Sequence, residues 1–110
     1  MSAEYSEDTL IQSDLQTLRQ QLVELLPYLQ QTYGVTHLGI FGSYQRGEQT
    51  PNSDLDLLVE FHPDRRLGLL TFCQLEHELS DRLGVKVDLV MRDGLKPHIG
   101  DRILAEVNYL

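Results

Sequence analysis

A chain of 110 residues with 41% hydrophobic content is sized for one compact domain, and 24% charged residues place it among ordinary globular proteins, not disordered ones. Its formal net charge of −8 disfavours a nucleic-acid-binding face, which needs a basic stripe, and suits a basic protein partner. Cys73, the single cysteine, excludes an intrachain disulfide and a cysteine zinc cluster, and no run approaches the ~20 apolar residues of a membrane span.

The first residues, Met-Ser-Ala-Glu-Tyr-Ser-Glu-Asp, are acidic and lack the apolar run of a secretory signal, so a cytoplasmic protein is expected. Residues 1–12 are expected to fray. Leu10, Ile11, Leu15, Leu18, Leu22, Leu25 or Leu26, and Leu29 recur at helical spacing. A capping box at Ser13 and Gln16 starts that helix, and Pro27 divides it. Two pieces are therefore predicted, about 13–25 and 26–33, with Gly34 as a left-handed cap.

A first strand is predicted over 35–41, with Val35, His37, Gly39 and Phe41 on one face. A short helix follows Gly42, from about Ser43 to Gly47, and the turn-rich 49–53 leads to a second strand over 54–61. There Leu55, Leu57, Val59 and Phe61 point one way, and Asp54, Asp56, Leu58 and Glu60 the other. Leu69, Phe72, Cys73, Leu75, Leu79 and Leu83 mark an amphipathic helix closed by Gly84, with Cys73 expected in the core. A third strand, 85–91, carries Asp88 on the face opposite Val85, Val87 and Leu89. A last helix is predicted over 97–108. Three strands interleaved with helices suggest a small α/β (α+β) domain, a three-stranded mixed sheet with helices packed on one face.

The chemistry concentrates between Phe41 and Met91. Asp54 and Asp56, two apart on a strand, project together on the face away from the core, roughly 6.5–7 Å apart along the chain. Paired neighbouring strands would bring Asp88 to them. Three such carboxylates repel at neutral pH unless a divalent cation joins them, and Mg²⁺ suits one or two carboxylates plus phosphate oxygens. Two ions would clamp an in-line displacement. Asp88 is then placed to take the proton from an attacking hydroxyl. Gly42 lets backbone approach a triphosphate, Ser43 adds a hydroxyl donor, and Arg46 a planar fork for phosphate oxygens. His37, His62, His77 and His98 are scattered and read as structural or surface residues, and Tyr44 as a packing residue.

Gly42-Ser43, Asp54-x-Asp56 and the later Asp88 together resemble the minimal nucleotidyltransferase (MNT) domains of the DNA polymerase beta superfamily, over residues 35–91. The resemblance implies a nucleotidyltransferase palm spanning the whole chain as one domain. It implies that Gly42, Ser43 and Arg46 bind nucleotide, and that Asp54, Asp56 and Asp88 are catalytic and hold metal. Only one short helix follows the palm, so no substrate-recognition domain is expected. That brevity is similar to the MNT antitoxins of HEPN/MNT toxin–antitoxin pairs. They use ATP to adenylylate the partner toxin, typically on tyrosine, which implies a hetero-oligomer with a HEPN-type toxin. Two rival functions stand beside this one. The first is a non-catalytic antitoxin that neutralises its partner by binding. The second is a transferase acting on RNA or a small molecule.

Overall fold

The computed structural model describes residues 7–110, with side chains from residue 15 onward. Helix α1 (Glu7–Tyr33) leads into strand β1 (Val35–Phe41), the one-turn helix α2 (Ser43–Arg46) and strand β2 (Leu55–Phe61). Helix α3 (Leu69–Leu83), strand β3 (Val87–Met91), a 3₁₀ turn (Arg92–Gly94), helix α4 (Pro97–Glu106) and strand β4 (Asn108–Tyr109) follow.

The sheet has the order β3-β2-β1-β4, with β2 parallel to β3 and antiparallel to β1, and β4 antiparallel to β1. The mixed sheet matches expectation, but it has four strands, not three. The last helix stops at Glu106 because the chain extends at Val107, and Asn108 and Tyr109 then pair with Ile40 and Gly39. The Leu110 N–H donates to the Leu38 carbonyl at 2.9 Å, closing that edge. No side chain at Gly39 stands in the way, since a Cβ there would lie 2.6 Å from Val107 Cγ2.

Helix α1 runs unbroken through Pro27, where two pieces were expected. The proline removes one hydrogen bond, to the Val23 carbonyl, and Val23 lies on the exposed side where water can replace it. Leu18, Leu22 and Leu29, buried on both sides of Pro27, keep the axis seated on the sheet. The helix begins at Glu7, so Ser13 and Gln16 sit inside it and do not cap it. Residues 1–6 of the stretch expected to fray, and the side chains of Leu10 and Ile11, lie outside the described residues. Gly34 ends the helix at φ +75° as foreseen, its N–H reaching the Gln30 carbonyl at 3.0 Å.

The core lies between α1, α3 and one sheet face. Leu38 and Ile40 of β1, Leu55, Leu57 and Val59 of β2, and Val87 and Leu89 of β3 are all buried there. A register shift between Val35 and His37 turns Val35 into the core, so it does not share the face of His37 and Gly39 as simple alternation requires. On α3 the buried line is Leu75, Leu79 and Leu83, with Phe72 packed against it. Cys73 stands about 200° round the helix from Leu75 and is exposed, so its expected core role is corrected. Leu69, one turn outside the packed segment, is 77% exposed.

The Tyr33 hydroxyl donates to Glu78 Oε1 at 2.6 Å, joining the end of α1 to α3. That bond, first among its causes, holds the Glu78 carboxyl below its ordinary value against the opposing effect of burial. Tyr33→Phe is expected to cost about 1–2 kcal/mol of unfolding free energy, as a hydrogen bond to a charged acceptor does, without touching the far sheet face. Urea denaturation measures the loss, and an unchanged midpoint would refute it.

Candidate active site

The site lies on the sheet face opposite the core, where β1 ends and β2 and β3 begin. Side chains two apart on a strand share a face, and the odd positions of β2 are committed to the core. Asp54, Asp56, Leu58 and Glu60 therefore fall on the other side. Register adds the third acid: Asp56 is the Cα partner of Asp88 across the parallel β2–β3 pair. Neighbouring strands lie about 4.8 Å apart, so these two carboxylates share one level of the sheet. Asp54 precedes β2 by one residue and is half-buried, as is Asp56, whereas Asp88 is exposed. Asp54 Oδ2 sits 3.8 Å from Lys86 Nζ.

Asp56 records the crowding. Burial first, then the negative charges of Asp88 and Asp54, push its carboxyl up from the usual range to about 6, while Arg46 pulls the other way. Among the described residues, no three His, Cys, Asp or Glu side chains are gathered as they stand into a group able to hold an ion. What the fold supplies is the placement of three hard oxygen donors on adjacent backbone segments of one face.

Phe41 pairs with Asp56 in the antiparallel register, which delivers the next residue, Gly42, to the same place. Gly42 has φ +79° and ψ −156°, a conformation open essentially to glycine alone. A Cβ on it would overlap the Asp56 carboxylate, lying 2.8 Å from Cγ. The glycine thus serves two needs at once, the turn and the close approach to the acid. Ser43 follows, half-buried, as the first residue of α2, and Tyr44 is buried in the core as expected. The Gly47 cap, at φ +71°, closes the helix by donating its N–H to the Tyr44 carbonyl.

Arg46 is held on two sides. Its Nε donates to Glu48 Oε1 at 2.9 Å, and its Nη1 to Glu106 Oε1 and Oε2 at 2.9 and 3.1 Å. The Gly42 N–H donates to Glu106 Oε2 at 2.8 Å. Burial works to raise the Glu106 carboxyl, but the Gly42 N–H, Arg46 and Arg102 outweigh it and hold it below its ordinary value. Sequence reasoning missed Glu106 altogether. No local pattern marks it, because its partners lie 60 and 64 positions away. All six residues singled out from the sequence, Gly42, Ser43, Arg46, Asp54, Asp56 and Asp88, fall in the β1–α2 turn or at the paired starts of β2 and β3. The four histidines lie outside that cluster, and all are exposed.

Comparison with known proteins gives the family of the chain. The family model described as a nucleotidyltransferase domain matches residues 22–110. Protein adenylyltransferase MntA of Thermococcus cleftensis is 45% identical over 82 residues, covering 74% of this chain and 81% of that protein. A solved structure described as a candidate minimal nucleotidyltransferase superposes with a TM-score of 0.75 at 39% identity, covering 88% of this chain and 96% of the other. The fold alone is shared with a chain of the complex between tri-AMPylated Shewanella oneidensis HEPN toxin and its MNT antitoxin. There the TM-score is 0.56 at 18% identity, with 90% and 70% of the chains covered.

Proposed function

The chain belongs to the nucleotidyltransferase domain family and is an enzyme of that kind, and we propose that it moves AMP from ATP to a hydroxyl of a HEPN-type toxin, as its antitoxin. The single observation that carries this reading is the register pairing of Asp56 with Asp88 beside the Gly42 turn. The name of the Thermococcus cleftensis relative supports a protein acceptor, and the AMPylated toxin in the Shewanella oneidensis complex supports the partner class.

Asp54, Asp56 and Asp88 fit a hard divalent cation such as Mg²⁺, because all three offer carboxylate oxygens and the charge on Asp56 is otherwise poorly tolerated. When bound there, Mg²⁺ supplies Lewis-acid stabilisation of the charge that builds on the phosphate oxygens. The rest falls to the chain itself. The Ser43 hydroxyl and the Arg46 guanidinium bind and orient the triphosphate. The acceptor oxygen attacks the α-phosphorus in line, the bond to the β-phosphate breaks, and pyrophosphate leaves with the electron pair. Asp88, the exposed member of the three, takes the acceptor's proton. Among the described residues no helix is long and apolar enough to cross a membrane. A cytoplasmic setting keeps Cys73 a thiol.

The test uses the full chain, labelled ATP, Mg²⁺ and three acceptors: a HEPN toxin, RNA and a small-molecule alcohol. Label is expected on the toxin alone, and Asp54→Asn is expected to lower its rate by about 10³-fold, equivalent to about 4 kcal/mol of transition-state stabilisation. Label on RNA or the alcohol alone refutes the acceptor. Toxin neutralisation by an inert Asp54→Asn variant refutes the catalytic role of the antitoxin.

A further inference from the structure

We propose that Glu106 is a positioning residue for the phosphate turn: from the end of α4 it grips both ends of α2 and so holds Ser43 and Arg46 in place to receive a nucleotide triphosphate. This rests on the nucleotidyltransfer reading of the site and adds to it a residue outside the six legible in the sequence.

Helix α2 is not self-supporting. A four-residue helix cannot hold itself, since nucleation costs more than one turn of hydrogen bonds returns. Its N-cap is Gly42, which has no side chain and makes no capping bond. In a capping box a Glu or Gln at the third helical position accepts from the N-cap N–H; Gln45 holds that position here, but the Gly42 N–H donates to Glu106 instead. The bond to the N-cap N–H is supplied from 64 residues away. The same carboxylate holds Arg46, the last residue of the helix, through Nη1. One side chain thus fixes the first and last positions of the turn relative to each other.

The fold secures Glu106 in turn. Two residues beyond it Asn108 begins β4, and the Tyr109 hydroxyl donates to Glu60 Oε2 at 3.0 Å. Arg19 of α1 donates to the Tyr109 carbonyl at 3.1 Å. The strand therefore anchors the end of α4 at the β1 edge, next to the turn that Glu106 holds. Gly42 also packs on Asp56, so a turn released from Glu106 is free to shift against the acid cluster.

Glu106→Gln and Glu106→Ala test this in the full chain with ATP, Mg²⁺ and toxin acceptor. Gln retains an acceptor for the Gly42 N–H but not the charge facing Arg46, so a graded effect is expected. The KM for ATP should rise about tenfold in Glu106→Ala and about threefold in Glu106→Gln, with kcat changed less than KM. In the nucleotide-free protein, the Gly42 amide proton resonance should move upfield in Glu106→Ala, as a lost hydrogen bond to a carboxylate requires. A KM unchanged in both variants overturns the proposal. A lowered KM also overturns it, by making the carboxylate a competitor of phosphate and not a holder of the turn. If Glu106→Ala does not fold, Glu106→Gln, isosteric and half-exposed, decides alone. If wild type transfers nothing from ATP, the underlying nucleotidyltransfer reading fails, and the amide shift still reports whether Glu106 holds the turn.

Discussion

Asp56→Asn is expected to abolish AMP transfer, by about 10³-fold or more, and at the same time to raise the melting temperature of the metal-free protein. The two effects share one cause. Asp56 is half-buried beside Asp88 and Asp54, and burial followed by their charges lifts its carboxyl to about 6. An unfolded aspartate titrates near 3.9, so the native chain binds the additional proton between roughly pH 4 and pH 6. A raised carboxyl of this kind favours the fold below about pH 4. Its contribution falls as pH rises towards 6, and above that the full cost of the ionised form remains. The side chain is partly solvated, so screening reduces that cost to the order of 1 kcal/mol, or about 4–8 °C in a domain of this size. Removing the charge removes the cost, together with the pH slope between 4 and 6.

Magnesium supplies the complementary measurement. A cation that binds only the folded chain stabilises it by mass action, by about 2.7 kcal/mol at a hundred times its dissociation constant. Wild type should therefore gain melting temperature with added Mg²⁺, and Asp56→Asn should gain little. Thermal scans with and without Mg²⁺, at pH 4, 6 and 8, read all three effects. A variant that is less stable than wild type at pH 8, or that transfers AMP at a near-normal rate, would remove Asp56 from the role assigned to it. Such sites sacrifice stability for function, and this one does so through charges that only a ligand relieves.

Gly42→Ala is expected to be the most damaging substitution outside the acids, losing transfer by more than about a hundredfold and stability by roughly 3 kcal/mol. Two penalties combine. The backbone at φ +79° and ψ −156° lies where a Cβ is strained, and the new methyl would overlap the Asp56 carboxylate. Gly47 provides the control. Its φ of +71° is also left-handed, but a Cβ there would meet nothing within 4 Å. Gly47→Ala should cost only about 1–2 kcal/mol, the price of the left-handed backbone alone. Urea denaturation and the transfer assay on both variants isolate the steric contribution. Equal losses at the two glycines would show that the contact with Asp56 carries no weight.

The acid strand was legible because two requirements coincide on it. Leu55, Leu57 and Val59 must face the core, and alternation then forces Asp54 and Asp56 to the other side. The α1 break at Pro27 was misread because a local rule met a tertiary one. The proline's lost hydrogen bond is small beside the burial of Leu18, Leu22 and Leu29 on one continuous axis. Cys73 was misassigned because Leu69 and Phe72 suggested an apolar stripe wider than the line the sheet covers. The helix buries Leu75, Leu79 and Leu83 and leaves Leu69 and Cys73 in solvent.

Periodicity and turn chemistry, both local properties of the chain, were enough to determine the order of the first three strands, the core face of β2 and the presence of a glycine turn ahead of an acid-bearing strand. Each depends on residues a few positions apart, where backbone geometry alone decides which way a side chain points. The pairing of Asp56 with Asp88, the fourth strand at Asn108–Tyr109 and the grip of Glu106 on Gly42 and Arg46 belong to the tertiary structure. These link positions from 32 to 70 residues apart, as between Asp56 and Asp88 and between Gly39 and Tyr109. Contacts at that range exist only once strand register and helix packing have closed the loops between them.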